Sequence, residues 1–299
     1  MQKLKFSEVK LSKEYTQNSW SKSHLSCPSP IHIKEKSTIR VYYTSISSDN
    51  KGYISFYDVD ENNPSKIIYE HDQPVLSSGI KGTFDDNGVF CVSVINRDEQ
   101  YELYYIGFEL SDKIRYKIFT GCAVSKDGIN FERVSTTPLL DRVKGQEYFR
   151  GGPFVYKKDE GYKMLYIGGG SWVNTPMGEK PEYHIFEVSE IEKFKYSDYL
   201  PVKMFDYKLD QHGFGRPVSY TIRDIEYLFF STRSVETGLY RLDGEVRDSG
   251  EQIDFSPLYD ATKESELCYF TPILVNDRNF VFFNDGNFGR KKIYVTEII

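Results

Sequence analysis

A two-strand phrase recurs five times along the 299-residue chain. In each copy an apolar strand is followed by a polar turn and then by a strand rich in Tyr and Phe. These second strands read IRVYYTSI (39–46), YELYYIGF (101–108), GYKMLYIGG (161–169), IEYLFFSTR (225–233) and NFVFFNDG (279–286). The copies recur about every 60 residues, a period typical of folds that use one sheet per repeat.

The first strands of the phrases read CPSPIHI (27–33), GVFCVSVI (88–95), GGPFVYK (151–157), GRPVSYT (215–221) and CYFTPILV (268–275). A third strand follows each phrase at 52–59, 118–125, 182–189, 238–244 and 291–298. Tyr, Phe and Trp make up 16% of the chain, and such residues favour strands. We predict an all-β fold, a five-bladed β-propeller of three- to four-stranded antiparallel blades, as a single domain over residues 1–299. The alternative, a β-sandwich, would not produce five copies of one phrase.

Residues 2–11 alternate polar and apolar side chains like an edge strand. The last repeat has only three strands before the chain stops. We therefore expect the N-terminal segment to supply the outer strand of the last blade, which would cover an exposed sheet edge.

Charge and composition exclude several classes of protein. The 38 Lys and Arg against 44 Asp and Glu give a net charge of −6, which argues against a nucleic-acid-binding surface. No apolar run reaches the ~18 residues that a membrane span needs. The first residues lack an apolar signal core, so we expect a cytoplasmic protein. The four cysteines, none at CxxC spacing, are expected to be reduced and buried in the core.

Polar residues stand before or at the start of the first strand of each blade. Because these strands surround the propeller axis, we expect the following side chains to converge: His24, Ser26, Asp85, Asp86, Arg150, His212, Arg216, Glu264 and Glu266. Buried charges are costly unless they are paired. The cluster is therefore either a pocket for a hydroxyl-rich or anionic ligand, which arginine suits, or a set of salt bridges that closes the tunnel.

Other residues have two interpretations each. Trp172, in the long loop at 171–181, either stacks on a sugar ring or packs as a lid on its own blade. His24 and His212 lack a third metal ligand at suitable spacing, so we expect hydrogen-bonding roles for both. No metal site and no cofactor is predicted.

The blade heads SCPSPI, GTFDDNGV, YFRGGPFVYKKDEGYKMLY, GFGRPV and SELCYFTPILV resemble those of the five-bladed propeller glycosidases, the clan of glycoside hydrolase families 43, 32 and 68. The resemblance is closest to glycosidase-like propellers found beside polysaccharide-biosynthesis genes, and it covers nearly the whole chain. It implies a carbohydrate-active protein, with a saccharide or a nucleotide sugar as its ligand.

The chain departs from the family pattern at two of three expected carboxylates. The blade-one Asp-Pro pair, which holds the general base, is replaced by Cys27-Pro28. The blade-three Glu-Gly-Pro phrase, which holds the general acid in the family, reads Gly-Gly-Pro at 151–153. Arg150, which precedes it, resembles the Arg of the Arg-Asp-Pro motif in families 32 and 68, but the Asp of that motif is absent. The blade-two acid is retained as Asp85 or Asp86.

A positioned acid or base accelerates a reaction by roughly 10²- to 10⁴-fold, so the loss of both would leave little ordinary hydrolysis. One hypothesis is a glycosidase-like hydrolase or glycosyl transferase in which Glu266 and Asp85 or Asp86 form a new acid/base pair. Its ligand would be bound by His24, Ser26, Arg150, His212, Arg216 and Trp172. The alternative is a catalytically degenerate propeller that binds a saccharide or nucleotide sugar without turning it over. A protein-interaction propeller ranks last.

Overall fold

The computed structural model describes residues 3–159, 161–197, 202–204, 207 and 210–299. The strands of the first half are β1 (Lys10–Glu14), β2 (Ser21–Ile33), β3 (Thr38–Ser47), β4 (Gly52–Asp60), β5 (Asn63–Glu70), β6 (Val89–Arg97), β7 (Gln100–Glu109), β8 (Lys117–Ser125), β9 (Glu132–Arg133), β10 (Phe149–Lys158) and β11 (Gly161–Gly169). Those of the second half are β12 (Trp172–Thr175), β13 (Gly178–Pro181), β14 (His184–Glu192), β15 (Lys195–Tyr196), β16 (Val202–Lys203), β17 (Gln211–Ile222), β18 (Ile225–Ser234), β19 (Tyr240–Val246), β20 (Leu267–Val275), β21 (Arg278–Asp285) and β22 (Lys292–Ile298).

Helical structure is limited to short segments. One 3₁₀ turn covers Lys34–Lys36, and the α-helical segments are α1 (Ser256–Thr262) and the turn α2 (Gly286–Gly289). None of the helices in the described part of the chain has the length and apolar character needed to cross a membrane. The all-β prediction is confirmed.

All five predicted phrases fold as antiparallel strand pairs: β2–β3, β6–β7, β10–β11, β17–β18 and β20–β21. Separate sheets hold β2 to β5, β17 to β19, and β20 to β22 with β1. The remaining large sheet joins β6–β9 to β10, β11 and β14–β16 through a short parallel pairing of Phe149 and Arg150 with Ile118 and Phe119. Strands β12 and β13 form a separate hairpin.

The Tyr- and Phe-rich second strands are largely buried. Tyr42, Tyr104, Tyr166 and Phe229 are completely covered, and burial of such side chains contributes roughly 1.5–3 kcal/mol each. Apolar clusters span neighbouring sheets, and one of them packs Phe229 of β18 against Phe270 of β20 with ring centroids 4.7 Å apart. Cys27, Cys122 and Cys268 are buried free thiols, as expected, whereas the Cys91 side chain lies outside what the structure describes.

The inner strand of every phrase contains a bulge. The register shifts lie between Ser26 and Ser29, Cys91 and Ser93, Gly151 and Phe154, Gly215 and Val218, and Cys268 and Thr271. Four of these bulges hold a residue with positive φ: Cys27 (62°), Gly152 (66°), Arg216 (45°) and Tyr269 (61°). Such a bulge re-aims a side chain, and left-handed backbone at a non-glycine residue is strained.

The N-terminal segment covers the edge of the last sheet, as predicted. Strand β1 pairs with β22, and Phe6 bridges Ile298. The Ser7 amide also donates to the Glu297 carbonyl at 2.8 Å. The pairing continues to the end of β1, beyond the predicted limit at residue 11, and residue 2 lies outside the described part of the chain.

Candidate functional site

The bulges of the inner strands surround a cavity of about 450 Å³. Its wall includes the positive-φ residues Cys27, Gly152, Arg216 and Tyr269, together with Phe90 of β6. All five two-strand phrases therefore contribute to this central cavity. Cys27, Gly152, Arg216 and Tyr269 reach the wall at bulges, where the backbone is left-handed.

Positive charge dominates the wall of the central cavity. The described wall residues include the cations Arg115, Lys180, Arg216 and Arg233 and the imidazoles of His24 and His212. Glu179, on the β12–β13 hairpin, is the one carboxylate among them. Nine further wall residues are aromatic and offer apolar faces. The combination suits a ligand that carries negative charge beside CH-rich or ring-shaped surfaces.

Arg233, near the end of β18, is held by its neighbours with its guanidinium against two adjacent rings. Its Cζ atom lies 4.8 Å from the ring centroid of Tyr240 and 5.5 Å from that of Phe288. Its Nε atom donates to the Gly238 carbonyl at 3.2 Å. None of the ion pairs found within the described residues includes Arg233, so no carboxylate neutralises its charge there. Arg233 is therefore an oriented cation available to an anion.

The charge of Arg233 acts on titratable groups around the cavity. Burial raises the pKa of Tyr116, Tyr183, Tyr240 and Tyr269, and the Arg233 charge opposes that rise in each case. These tyrosines come from segments that are far apart in the sequence. Arg233 thus lies within electrostatic reach of much of the wall, and the four phenols remain protonated hydrogen-bond donors at neutral pH.

His212, at the start of β17, is a neutral imidazole. Burial lowers its pKa, and the nearby Arg233 charge lowers the pKa further. Its side-chain Nδ1 atom is buried and has no hydrogen-bond partner among the described residues. His24, on the opposite strand β2, contacts the Ser23 hydroxyl through Nδ1 at 2.7 Å, and burial also lowers its pKa.

Arg216 connects β17 to β2 across the wall of the cavity. Its Nη1 atom donates to the Cys27 sulfur at 2.8 Å, and its Nη2 atom donates to the Ser29 hydroxyl at 3.0 Å. Burial raises the pKa of Cys27 to about 11, and the charge of Arg216 opposes that rise. Cys27 is therefore a protonated thiol at neutral pH, and it does not replace the missing carboxylate as a base.

The structure brings together four of the predicted ligand-binding residues and places two elsewhere. His24, Trp172, His212 and Arg216 line the central cavity. The Ser26 hydroxyl instead donates to the Phe288 carbonyl. Arg150 is fully buried beneath the wall, where its guanidinium donates to the Asp141 carbonyl at 2.6 Å and to the Tyr166 hydroxyl at 3.3 Å.

The expected gathering of Asp85, Asp86, Arg150, Arg216 and Glu266 in one pocket is corrected, because Arg216 alone among them lines the cavity. Asp85 is buried in an ion pair with Arg133 Nε at 2.7 Å. The Asp86 carboxylate accepts the Gly82 amide at 2.8 Å.

The predicted acids of the fifth repeat also lie outside the wall of the central cavity. Glu266 accepts the Tyr240 amide at 2.9 Å and borders a second, smaller cavity of about 210 Å³. Glu264 borders the same second cavity and pairs with Lys292 Nζ at 2.9 Å. The acids are held by contacts outside the cavity, since Glu266 caps an amide of β19 and Asp85 pairs with Arg133 of β9.

Sequence analysis missed Arg233, Tyr240 and Phe288. Arg233 closes the phrase IEYLFFSTR, whereas the corresponding strands end in TSI, IGF, IGG and NDG. A cation at that position of one repeat was an available signal. No comparable signal marks Phe288, which lies in the irregular turn α2.

No protein-family model matches the chain. An uncharacterised protein of Mycobacterium tuberculosis is 31% identical over 153 residues, which cover 51% of this chain and 51% of that protein. A β-1,2-mannobiose phosphorylase of a Thermoanaerobacter species is 30% identical over 113 residues, 34% of this chain and 37% of that protein. The chain spans about half the length or less of the curated relatives it matches.

Solved structures match over nearly the whole chain at low sequence identity. A glycoside hydrolase superposes with a TM-score of 0.69 at 15% identity, covering 99% of this chain and 92% of its own. An α-L-arabinofuranosidase from Lactobacillus brevis gives 0.67 at 9% identity, with coverages of 92% and 90%. A family 32 β-fructofuranosidase from Bombyx mori gives 0.63 at 13%, with coverages of 92% and 62%. The chain therefore has the fold of the propeller glycoside hydrolases, which confirms the resemblance in its blade heads.

Proposed function

We propose that this protein is a carbohydrate-active enzyme that transfers a glycosyl group between a saccharide and inorganic phosphate in the central cavity. The observation that carries the proposal is Arg233, a cation oriented by two aromatic rings and without a carboxylate partner among the described residues. Phosphate is the small anion that such a guanidinium binds well, because its paired N–H donors match two phosphate oxygens.

The composition of the wall favours phosphorolysis over ordinary hydrolysis. Glycosidases that hydrolyse by the common mechanisms use two carboxylates on either side of the scissile bond. The described wall residues offer only Glu179, on a hairpin, and several cations. In phosphorolysis the phosphate itself is the nucleophile, so one of the two carboxylates is not needed.

The reaction balances without a cofactor. An oxygen of the phosphate monoanion bonds to the anomeric carbon, and the bond from that carbon to the glycosidic oxygen breaks. The leaving oxygen keeps the electron pair and takes up the proton that the phosphate carried. The products are a sugar 1-phosphate and a saccharide shortened by one unit. The buried phenols near Arg233 are protonated and can orient the leaving hydroxyl.

The relatives and the fold support this class of reaction. One relative is a β-1,2-mannobiose phosphorylase, so a β-linked mannobiose is the first substrate to test. The structural neighbours include an α-L-arabinofuranosidase and a β-fructofuranosidase, which act on saccharides. We also propose that the five bulged phrases form the five blades of one propeller domain over residues 1–299, with the central cavity on its axis.

The test is a phosphate-dependent turnover assay. The protein is incubated with inorganic phosphate and a panel of disaccharides, namely β-1,2-mannobiose, cellobiose and maltose, and sugar 1-phosphate is measured by phosphorus NMR. We expect Arg233→Gln to lower kcat/KM by about a hundredfold, as the loss of one preorganised donor to a developing charge typically does. Arg223→Gln, at an exposed turn between β17 and β18, is the matched control and should retain activity.

Release of free sugars at the same rate without phosphate would show that the reaction is hydrolysis and not phosphorolysis. Equal activity of Arg233→Gln and the wild type would show that Arg233 has no role in the reaction.

The second candidate function is saccharide binding without turnover. It is favoured by the presence of a single carboxylate among the described wall residues, which leaves no acid/base pair. Calorimetry that detects binding of a disaccharide, with no sugar phosphate and no free sugar formed, would select it.

A further inference from the structure

We infer that Phe288 forms the outer wall of a saccharide subsite at the mouth of the central cavity, where it packs on the sugar unit nearest the solvent. The inference rests on the proposed function, because it assigns a place to one unit of the same substrate. Its first support is exposure. Phe288 is 39% exposed and also borders the central cavity, so its ring lies where the cavity opens to solvent.

The backbone under this ring is held in an unfavourable conformation. Asn287, Phe288 and Gly289 have φ values of 54°, 64° and 72°, so three successive residues lie in the left-handed region. A bulky side chain such as phenylalanine rarely adopts this region. Conformations of this kind persist only where the surrounding contacts determine them, and they concentrate at ligand sites.

Specific contacts fix the turn. The Ser26 hydroxyl donates to the Phe288 carbonyl and so ties the turn to β2. A Cβ atom at position 289 would lie 2.6 Å from the Asn284 side chain, so only glycine fits there. The Phe288 ring meets Tyr240 edge to face, with centroids 4.8 Å apart and planes at 68°. The ring is therefore oriented before any ligand arrives.

The neighbourhood of the ring suits a sugar. One face of a pyranose is rich in CH groups and packs on an aromatic ring, while its rim carries hydroxyls that need polar partners. The Arg233 guanidinium, 5.5 Å from the Phe288 centroid, supplies donors beside that ring. The exposed ring, the strained turn that fixes it and the adjacent donors together indicate a binding subsite.

The test measures binding in the absence of phosphate, so it is independent of turnover. Dissociation constants for the disaccharide panel are measured by calorimetry with the wild type, Phe288→Ala and Phe288→Tyr. We expect Phe288→Ala to weaken the tightest disaccharide about tenfold, in line with the contribution of a well-oriented aromatic contact. Phe288→Tyr keeps the ring and should stay within about twofold of the wild type.

Tyr69→Ala is the matched control, because Tyr69 is an aromatic residue of β5 that is 46% exposed and does not line the central cavity. Unchanged melting temperatures show that the variants are folded. Equal affinity of Phe288→Ala and the wild type, or no binding of any disaccharide by the wild type, would overturn the inference. Phe288-dependent binding without formation of sugar 1-phosphate would overturn the proposed reaction and leave the subsite standing.

Discussion

Asn284 is the residue whose loss should most directly weaken the junction between the first and last repeats. It is completely buried at the end of β21. Its side-chain oxygen accepts the Cys27 amide at 2.8 Å, and its Nδ2 atom donates to the carbonyls of Leu25 at 2.7 Å and Lys292 at 2.9 Å. One side chain thus joins β2, from the start of the chain, to β21 and β22 at its end.

The cost of Asn284→Ala follows from these three hydrogen bonds. Each contributes about 1 kcal/mol net, and the groups left behind are buried backbone groups whose desolvation is no longer compensated. We expect the free energy of unfolding to fall by about 3 kcal/mol, and the melting temperature of a chain of this size to fall by about 6 °C. Urea unfolding followed by far-UV circular dichroism measures the first quantity, and calorimetry measures the second.

Asn279→Ala on the same strand is the matched control. Among the described residues, the Asn279 side chain accepts one hydrogen bond, from the Tyr220 hydroxyl at 2.9 Å. Its replacement should cost about 1 kcal/mol, a third of the effect at Asn284. A loss at Asn284 no larger than that at Asn279 would refute the view that this side chain holds the first and last repeats together.

Two further predictions concern pH. Hydrogen bonds from Lys158 and Ser219 and the charge of Arg247 outweigh burial and lower the pKa of Glu226 to about 2. Its stabilising contribution is therefore complete above its ordinary pKa of about 4.5 and is lost as the pH falls towards 2. Glu226→Gln should flatten the dependence of the urea midpoint on pH in that window, and an unchanged slope would contradict the assignment. Burial raises the pKa of Cys27 to about 11, so alkylation of this thiol by iodoacetamide should be slow at pH 7 and become faster up to about pH 11. The Cys27→Ser variant is the control that shows which part of the alkylation occurs at Cys27. A Cys27 alkylation rate that stops rising near pH 8 would contradict the prediction.

Predictions from local pattern were accurate for the strands. The Tyr- and Phe-rich segments became β3, β7, β11, β18 and β21 because a half-buried aromatic pattern is a property of a few adjacent residues. Pairing of the N-terminal segment with β22 was also predictable, because an uncovered edge requires a partner.

The site was less predictable, because the direction of a side chain at a strand head depends on the bulge. Asp85 and Glu266 stand before inner strands, yet the first pairs with Arg133 and the second accepts a backbone amide. Arg216 was correctly expected in the cavity, where its own positive φ places it. Arg233 and Phe288 reach the same space from a second strand and a turn, and for Phe288 no local pattern indicates this placement.

The sequence by itself determined that this chain repeats a strand pair five times and buries its aromatic residues, because alternation and composition act over short distances. Only the tertiary structure decided which side chains meet in the central cavity. That outcome depends on left-handed backbone at single positions and on contacts between residues such as Ser26 and Phe288, which are distant in the chain and become neighbours only when the first and last repeats come together.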